Sequence, residues 1–520
     1  MEGFAEPDAL RSLLIGYDDF EAKRFDGYDL HLKLRGHGVD AKHLVWKKTT
    51  DNVHAHQLAD ERIGEEYREY LRQLAEQINY GSYTNNLFSP LSYQILFEPT
   101  YLFADVVHLQ LIHKNGFFNL HHLPILSRLK PMVWTLHDTW AFTGHCINPF
   151  DCDRWKSGCG ECPDLDALFP IAEDSSALNW EMKKTLFQQC DLDLVVGSRW
   201  MEQRVKESPL FQHLKVHRLP HSLDVDMFCP GDSLESRERL GIDPDHWVIA
   251  FRASSAPFKG TDLVIEALKT MEVDRPVTLL TVDMTWLCED LKEKFRVINF
   301  GWIDEKETLV DLYRACDVFL MPSRGESFGY MAAEAMACGK PVLVTRSPSS
   351  ALQDTVFVDQ GGGVSCSHNS EALASELSAL LQDEGRRHEV GQRARELAVE
   401  NYRDDLYVSR LTEIYRDVIE RRKGDTRAKH IVDELKRISP PKLEPALPVE
   451  PPPTPPAEPL VAEPTPPVPL DPSRTICTLG PVEVKLIKVL RAMAKQPIGL
   501  WVYGKLVRPV VKALFLKGKG

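Results

Sequence analysis

The sequence predicts an α/β protein with two parallel sheets, each covered by helices on both faces. Three observations support this prediction. Apolar segments of strand length alternate with helical segments along the first half of the chain, the alternation begins again near Val248, and 520 residues suffice for two ordinary domains with appendages. Ligands of such sheets bind beyond the carboxyl ends of the strands, so we expect the functional residues in the loops that follow the strands.

The first half of the chain contains five candidate strands. A helix over Tyr28–Gly38, which ends in a glycine, connects the first two of them. The predicted strands are Arg11–Gly16, His43–Trp46, Asp105–Leu109, Met132–His137 and Asp193–Ser198. The alternation of strands and helices favours a parallel sheet, and it predicts a Rossmann-like domain over residues 1–225.

The second half repeats this pattern and predicts a second Rossmann-like domain over residues 226–425. Its candidate strands are Val248–Arg252, Val277–Val282 and Val297–Trp302. Its candidate helices are Thr261–Lys269 and residues 370–383, 385–400 and 405–422. We expect the two domains to face one another across a central cleft.

Two appendages are predicted after the second domain. Residues 426–474 are assigned to a linker, because nearly half of the residues from Pro440 to Pro472 are proline, a composition typical of an extended spacer. Residues 475–520 combine lysines at helical spacing with apolar residues, which predicts an amphipathic helix on an anionic membrane surface. The alternatives for this tail are docking on the rest of the chain, which is negatively charged, and binding to a partner protein.

The distribution of charge argues against nucleic acid as a partner of the two domains. The formal net charge is −14; residues 475–520 hold seven Lys and two Arg against one Glu, a local charge of +8, so the remainder carries −22. The eleven cysteines follow no recognisable secretory leader, and no uncharged apolar run reaches 18 residues. These features predict a cytoplasmic protein without a membrane-spanning helix.

The most informative segment runs from Pro322 to Val342 and carries two glutamates eight positions apart. Glu326 lies in a predicted loop, and Glu334 lies in an Ala- and Met-rich helix that has no other charged residue. The loop amides and the helix N-terminus favour an anion such as a phosphate, and carboxylates accept hydrogen bonds from vicinal hydroxyl groups. The alternative interpretation is a solvated acidic pair beside core residues.

This segment resembles the E-x7-E signature of the family 4 retaining glycosyltransferases, which have the GT-B fold. The resemblance extends over roughly residues 10–420. It implies transfer of a sugar from a nucleotide diphosphate sugar to a hydroxyl acceptor with retention of anomeric configuration, with Glu334 on the ribose hydroxyls and Glu326 as the catalytic residue in contact with the donor sugar. The same resemblance assigns further donor-site roles to Arg324, Ser327, Phe328 and Gly329.

A lysine and a glycine add to the predicted donor site. Lys259 and Gly260 follow a strand and open a helix, and they resemble the Lys-Gly of the same family, in which a lysine stabilises the departing nucleotide diphosphate. Arg252 is the candidate for a second cation, at a wider spacing than the family has. Together with Arg324 and the helix dipole, these groups imply that catalysis requires no metal ion or other cofactor.

Two segments of the first half resemble a subset of this family that is linked to colanic acid and other bacterial surface polysaccharides. Both segments are predicted strands followed by loops at the carboxyl edge of the sheet. Their cleft-facing candidates for catalysis are His108, His113, His137 and Asp138. The alternative for each histidine is a satisfied structural residue.

The same subset carries a cysteine cluster like the one formed here by Cys146, Cys152, Cys159 and Cys162. The C-x2-C pair at its end is compatible with a zinc knuckle, and four thiolates close a tetrahedral structural site. Because the first two cysteines are widely spaced, buried free thiols and a disulfide stay open as alternatives.

The loop after the first strand departs from the family. Relatives have a Gly-Gly loop there, whereas residues 16–27 of this chain carry acidic and bulky side chains. This substitution predicts either an oxygen-rich or cationic contact to the acceptor or a weakened activity.

These features together predict a hexosyltransferase that acts on a glycan or lipid-linked glycan in bacterial surface polysaccharide or glycolipid assembly. Its expected position is peripheral, on the inner face of the cell membrane. One alternative is a catalytically weak GT-B scaffold that binds a nucleotide sugar or a partner protein. Another is a membrane-recruitment module whose function resides in residues 475–520.

Overall fold

The computed structural model describes residues 9–20, 27–58, 69–71, 73, 89, 91–113, 117–167, 169–303 and 305–438. The proline-rich segment beyond residue 438 and the basic tail 475–520 lie outside the described residues. Among the helices of the described part, none is long and apolar enough to cross a membrane.

The first sheet has seven parallel strands in the order β3-β2-β1-β4-β5-β6-β7. The strands are β1 Arg11–Asp18, β2 Asp40–Lys47, β3 Ala55–Gln57, β4 Val106–Leu109, β5 Met132–Leu136, β6 Asp193–Val196 and β7 Val216–Arg218. The strand order reverses between β1 and β4. The loops that leave these two strands therefore diverge and open a crevice at the carboxyl edge of the sheet.

The second sheet has six parallel strands in the order β10-β9-β8-β11-β12-β13. The strands are β8 Trp247–Ala253, β9 Val277–Asp283, β10 Arg296–Asn299, β11 Val318–Met321, β12 Val342–Thr345 and β13 Val364–Cys366. Here the order reverses between β8 and β11. The two parallel sheets confirm the predicted α/β class and its two Rossmann-like halves.

Helices cover both faces of each sheet. The helices that follow strands of the first sheet are α1 Tyr28–Gly36, α2 Pro99–Phe103, α3 Leu123–Leu129, α4 Ser176–Phe187 and α5 Arg199–Glu207. Those of the second half are α6 Ser233–Arg239, α7 Thr261–Thr270, α8 Lys306–Ala315, α9 Tyr330–Ala337, α10 Leu352–Thr355, α11 Ser370–Gln382 and α12 Glu384–Tyr402. Two further helices end the described chain, α13 Asp404–Arg422 and α14 Thr426–Ile438.

The strands read as continuous apolar runs because both faces of each sheet are covered. In β1, Leu13 and Ile15 belong to one hydrophobic core cluster, whereas Leu14 belongs to another on the opposite face. In β8, Val248 and Ile249 divide between two clusters in the same way. Successive side chains of a strand point to opposite faces, so each sheet supplies two separate cores.

The last two helices return to the first sheet. Leu411 and Tyr415 of α13 are fully buried in the cluster that contains Leu14 of β1 and Val133 of β5. The predicted boundary at residue 425 assigned α13 to the second domain, and this assignment is wrong. The helix covers a face of the first sheet that would otherwise expose apolar side chains to water.

The helix α14 also corrects the predicted linker 426–474. Its first thirteen residues form a helix, in which Ala428 and Val432 are buried and Leu435 packs against the core of the first sheet. These apolar residues recur at helical spacing, but most residues around them are polar. The composition of the segment therefore did not indicate a buried helix.

Ion pairs fix α13 to the edge of the first sheet. Asp193 of β6 lies 2.6 Å from Arg421 Nη2 and 2.7 Å from His217 Nε2, and Asp417 lies 2.8 Å from Lys215 Nζ. Ligand atoms of Asp193, His217 and Asp417 lie within 4.8 Å of one another, a spacing that a metal ion could use. Both carboxylates already have cationic partners, so we interpret the group as an ion-pair network that holds α13 in place.

We expect Leu411→Ala to lower the free energy of unfolding by about 2–5 kcal/mol, because the side chain is fully buried between α13 and the first sheet. Arg410→Ala, at the exposed neighbouring position, is the matched control and should change it by less than about 0.5 kcal/mol. Urea unfolding followed by circular dichroism measures both variants. Equal effects of the two substitutions would contradict this packing.

Candidate functional site

An ion pair joins the two loops at the strand-order reversal of the second sheet. Lys259 Nζ lies 2.5 Å from Glu326 Oε1, and the two side chains are 19% and 12% exposed. Lys259 belongs to the loop between β8 and α7, and Glu326 belongs to the loop between β11 and α9. Because β8 and β11 are the neighbouring strands at which the order reverses, the pair lies in the crevice where parallel sheets bind ligands.

A glycine allows these two loops to meet. Gly260 has a φ of +73°, and a Cβ at this position would lie 2.5 Å from the carbonyl oxygen of Pro322. The left-handed backbone and the close approach both require the absence of a side chain. The loop is closed by Thr261, whose hydroxyl donates to Ser254 O and accepts from Ser254 N, both at 2.9 Å. The predicted donor residues Lys259 and Gly260 are thus held rigidly beside the Glu326 loop.

The end of the Glu326 loop contacts the first domain. Ser327 Oγ donates a 2.5 Å hydrogen bond to the carbonyl of His137, and Ser198 Oγ donates a 2.7 Å hydrogen bond to the carbonyl of Ser327. Phe328 is buried, with its ring at the edge of His221. Gly329 then starts α9 with a φ of +102°.

Glu334 lies in the interior of the second domain. It is 1% exposed, and Tyr313 Oη donates a 2.7 Å hydrogen bond to Glu334 Oε2. A buried carboxylate needs a hydrogen-bond partner, and Tyr313 supplies it. Of the two glutamates expected to face the cleft, Glu326 lies at the crevice and Glu334 lies beneath it; the ribose contact stays a prediction.

The two arginines of the predicted donor site already bind carboxylates. Arg252 Nη2 lies 2.9 Å from Asp283 Oδ2, and Arg324 forms an ion pair with Asp151 of the first domain. A phosphate that engaged either guanidinium would have to share it with these groups.

His108 is a core residue of the first sheet. It is fully buried, with Nδ1 2.6 Å from Tyr415 Oη and Nε2 2.7 Å from Thr135 Oγ1. Burial lowers the pKa of His108 to about 3, so the ring is neutral. The predicted cleft position of His108 is wrong, because the residue lies inside β4 and the loop begins only after Leu109.

His113 and Asp138 form a pair at the carboxyl edge of the first sheet. His113 Nε2 lies 3.0 Å from Asp138 Oδ2, and the imidazole stacks on Trp140 at 4.5 Å between ring centroids. Trp140 N donates a 2.9 Å hydrogen bond to Asp138 Oδ1. The carboxylate therefore fixes the orientation of the imidazole, an arrangement suited either to proton transfer or to loop structure.

His137 begins a column of three stacked rings. Its ring lies 5.2 Å from that of His221, which lies 5.4 Å from that of Tyr330 at the start of α9. Gln110 Oε1 lies 3.0 Å from His137 Nε2. Burial lowers the pKa of His221 to about 4, and burial together with the neighbouring His221 lowers that of His137 well below its usual value. The column is therefore uncharged at neutral pH.

The sequence reasoning missed His221 as a site residue. It lies in the segment that crosses from the first sheet to the second, where no motif marks it. Gln110 is a further residue of this site, since its side-chain oxygen contacts the His137 ring.

A cavity of about 300 Å³ adjoins this column. His137, His221 and Tyr330 line it together with residues of α1 and α13. Among the latter, Lys33 Nζ lies 2.8 Å from Asp404 Oδ1. The volume is at the lower end of the range for small-ligand sites, and the lining mixes aromatic rings with charged groups.

The acidic loop after β1 does not turn its Asp19 toward an acceptor. Asp19 is fully buried, and its carboxylate accepts hydrogen bonds from the backbone and the hydroxyl of both Thr49 and Thr50. Burial raises the pKa of Asp19, but the hydrogen bonds from Thr50 and Thr49 outweigh it and hold the pKa below the usual value. Asp19 therefore ties the loop after β1 to the loop after β2. Residues 21–26 of the same loop lie outside the described residues, and the expected contact of the loop with the acceptor stays a prediction.

The four predicted metal ligands lie in one loop, which we call the cysteine loop (residues 143–175). All four cysteines are free thiols and line a single cavity of about 20 Å³. Burial raises the pKa of Cys146 to about 12 and that of Cys159 to about 11. The thiols of Cys146 and Cys159 are therefore protonated in the absence of a metal ion.

The cysteine loop also reaches the second domain. Asn148 Nδ2 donates a 3.1 Å hydrogen bond to Ser349 O, and Asp151 pairs with Arg324. A Cβ on Gly325 would lie 2.6 Å from Asn148 Nδ2, so the loop rests directly on the backbone that precedes Glu326.

Residues of α5, in the first domain, form a second set of contacts with the second domain. Trp200 Nε1 and Arg204 Nη2 donate hydrogen bonds of 2.8 and 2.9 Å to Pro348 O, and Trp200 N donates a 3.1 Å hydrogen bond to Asp354 Oδ2. The described structure is thus a closed arrangement of the two halves.

Comparisons with known proteins give a family match within the second domain. Residues 232–397 match the family model described as glycosyl transferases group 1. A D-inositol 3-phosphate glycosyltransferase of Xylanimonas cellulosilytica is 30% identical over 223 residues, which cover 40% of this chain and 52% of that protein. The protein of the same name from Mycobacteroides abscessus is 30% identical over 294 residues, which cover 54% of this chain and 62% of that protein. The chain thus spans little more than half the length of these curated relatives.

Two solved structures show the same fold. Anabaena Alr3699/HepE, in complex with UDP and glucose, aligns with a TM-score of 0.55 at 16% identity and covers 78% of this chain and 99% of its own. WaaG, a glycosyltransferase involved in lipopolysaccharide biosynthesis, aligns with a TM-score of 0.52 at 17% identity and covers 79% of this chain and all of its own. The architecture of the described chain is therefore that of the GT-B fold.

We expect Gly260→Ala to destabilise the protein more than Gly361→Ala does. Both glycines have a positive φ, but a Cβ at Gly361 would meet only Arg393 Cγ at 3.8 Å, whereas one at Gly260 collides with Pro322 O. The Gly361 variant therefore measures the backbone cost alone, about 1–2 kcal/mol. Urea unfolding of the two variants measures the difference, and equal losses would show that the loops do not meet as described.

We expect Tyr415→Phe to lower the free energy of unfolding by about 1–3 kcal/mol, because it leaves the buried Nδ1 of His108 without its hydroxyl partner. The triple variant His108→Leu, Thr135→Val, Tyr415→Phe removes all three polar side chains of this hydrogen-bonded group and should recover part of the loss. Strictly additive losses in chemical unfolding would contradict the structural role of His108.

Proposed function

We propose that the protein is a glycosyltransferase that moves a sugar from a nucleotide diphosphate sugar to a hydroxyl acceptor. The observation that carries this proposal is the Lys259–Glu326 ion pair in the crevice between the loops after β8 and β11. The pair lies inside residues 232–397, which match the group 1 glycosyltransferase model. A half-buried cation beside a carboxylate offers one group for a diphosphate and one for sugar hydroxyls.

In this proposal Lys259 stabilises the charge that develops on the departing nucleotide diphosphate. The Gly260 turn places the backbone of Lys259 and Glu326 holds its ammonium group, so the cation needs little reorganisation when the charge appears. Glu326, which holds Lys259 in the free protein, shares it with the diphosphate and contacts the donor sugar. The backbone amides of Ser327 to Gly329 lie at the start of α9, where the helix dipole favours an anion.

The buried Glu334 is the proposed partner of the ribose hydroxyls. It belongs to the second turn of α9, and its carboxylate accepts a hydrogen bond from Tyr313 in the closed arrangement. Contact with a ribose would require this buried carboxylate to become accessible from the crevice. No metal ion or cofactor is assigned a step in this proposal.

We further propose retention of configuration, as the E-x7-E segment implies. The anomeric configuration of the product, read by proton NMR during turnover, tests it directly. An inverted product would overturn this part alone and leave sugar transfer standing.

The proposed acceptor site is the cavity of about 300 Å³ beside the His137–His221 column. Its neutral rings and mixed charges suit a polyhydroxylated acceptor better than an extended apolar one. The relatives are named for D-inositol 3-phosphate, while the sequence resemblance favours surface polysaccharide or glycolipid assembly at the inner face of the membrane through residues 475–520. An acceptor panel should therefore contain inositol phosphates, free glycans and lipid-linked glycans.

The first test is donor binding by the full chain. Calorimetry against UDP-, GDP-, ADP- and TDP-sugars should identify one nucleotide that binds, and Lys259→Met should reduce the transfer or hydrolysis rate by about 10²–10³-fold, because it removes the charge opposite the leaving group. Lys269→Met is the matched control, since this lysine lies in α7 and pairs with Asp290 at the surface; it should leave the rate unchanged.

Two outcomes contradict the proposal in different ways. Donor binding without transfer to any acceptor and without slow donor hydrolysis would favour the scaffold alternative. The absence of binding by every donor, in a protein that is folded by circular dichroism, would overturn the glycosyltransferase assignment.

A further inference from the structure

A fully buried lysine lies beside the four cysteines of the cysteine loop. Lys183 of α4 is 0% exposed, and its Nζ donates hydrogen bonds to Trp140 O at 2.5 Å and Thr143 O at 2.9 Å. The titratable groups that act on it electrostatically are Cys159, Cys146 and Asp138. Burial lowers the pKa of Lys183 to about 7, because an ammonium ion in an apolar interior is costly unless a negative charge lies close to it.

The nearby groups supply little of that charge while the cysteines are thiols. Asp138 is the one carboxylate among these neighbours, and it is held by His113. The face of Trp140, with its ring centroid 3.9 Å from Nζ, offsets part of the cost. Thiolates at Cys146 and Cys159 would supply the rest, and a bound cation is what keeps thiolates stable in such a place.

The turn between the last two cysteines has an unusual backbone. Gly160 has a φ of +134° and Glu161 a φ of +44°, so two successive residues between Cys159 and Cys162 are in left-handed conformations. Gly144 N donates a hydrogen bond to Cys159 Sγ at 3.2 Å. An N–H group aimed at a ligand sulfur is the kind of outer contact that orients a metal ligand.

A buried histidine adjoins the same sulfurs. His145 is 1% exposed, with Nδ1 2.9 Å from Phe169 O and Nε2 3.3 Å from Cys162 Sγ. One ring nitrogen on a backbone carbonyl and the other on the ligand side is the arrangement that metal-bound histidines use. His145 is therefore a fifth candidate ligand.

We propose that Cys146, Cys152, Cys159 and Cys162 hold one structural zinc ion, with Lys183 as its buried counter-charge. Each coordinating thiol releases its proton to solvent when the zinc–sulfur bond forms, and no electron is transferred. Four protein ligands close a tetrahedral site and leave no position for a substrate, so the ion has no part in the chemical step. If His145 replaces one sulfur, the site stays closed and its role is the same.

Zinc binding requires the four sulfur atoms to move closer to one another. In the structure no three of the four Sγ atoms lie within 4.8 Å of one another, whereas tetrahedral zinc spaces thiolates about 3.8 Å apart. The four side chains surround a common cavity of about 20 Å³ and are only partly buried, so rotation about their side-chain bonds can close the gap.

The zinc would fix the loop that covers the proposed donor site. Asn148, Phe150 and Asp151 lie between the first two cysteines and contact Ser349, Phe258 and Arg324 of the second domain. This consequence rests on the proposed function, whereas the metal site itself does not. Loss of the ion should therefore weaken donor binding without unfolding either sheet.

The test uses the full chain purified without chelators. We expect elemental analysis to find one zinc per chain and X-ray absorption to give Zn–S distances of about 2.3 Å, with a Zn–N distance of about 2.0–2.1 Å only if His145 coordinates. Cys162→Ser should lose the metal. Cys190→Ala is the matched control, because Cys190 is a buried cysteine outside the loop, and it should retain the metal.

A second variant tests whether the charge of Lys183 stabilises the bound zinc. Lys183→Met keeps most of the side-chain volume and removes the charge, so zinc should transfer to a competing chelator at about tenfold lower chelator concentration. Where the cysteine variant fails to fold, metal content and X-ray absorption of the unaltered protein still decide the proposal.

Several results would overturn the metal site. One is a purified and zinc-reconstituted protein with no stoichiometric zinc. Another is a free-thiol count below eleven in denaturant without reductant, which would reveal a disulfide. Zinc bound through oxygen or nitrogen alone would show adventitious binding. A protein that binds zinc but transfers no sugar would leave the metal site intact and overturn only the proposed function.

Discussion

The close approach of the loop after β8 to the loop after β11 is the constraint on which the site depends. The backbone of Gly260 packs against the carbonyl of Pro322 at a distance that no side chain permits. This contact brings Lys259 within 2.5 Å of Glu326 from a position 67 residues away in the sequence. A parallel sheet whose strand order reverses at these two strands creates the crevice, and the glycine decides what meets in it.

The second constraint is the closure of the two halves over that crevice. Ser327, at the end of the Glu326 loop, donates to the backbone of His137 in the first domain. The cysteine loop rests on Gly325, and α5 contacts the carbonyl of Pro348. The Arg324–Asp151 ion pair and the packed rings of His221, Phe328 and Tyr330 add to these hydrogen bonds. Interfaces of this mixed kind between domains of one chain commonly permit relative motion.

Much of the fold could be predicted because it depends on local patterns. The strands beginning at Arg11, Trp247 and Val277 are continuous apolar runs, and α7, α11, α12 and α13 follow helical spacing. The return of α13 and α14 to the first sheet could not be predicted, since an amphipathic helix does not specify which sheet it covers. Val432 lies among charged residues, and only its packing partners distinguish it from a linker residue.

For the candidate site, the sequence by itself determined the residue types and the loops that carry them. Lys259, Glu326 and the four cysteines were named from spacing and from a family resemblance. The tertiary structure alone decided that His108 is a core residue, that Glu334 lies beneath the crevice, and that Lys183 is buried beside the cysteines. The physical reason is that burial and pairing arise from contacts between segments far apart in the chain. Periodicity reveals which face of an element is apolar, but not what that face meets.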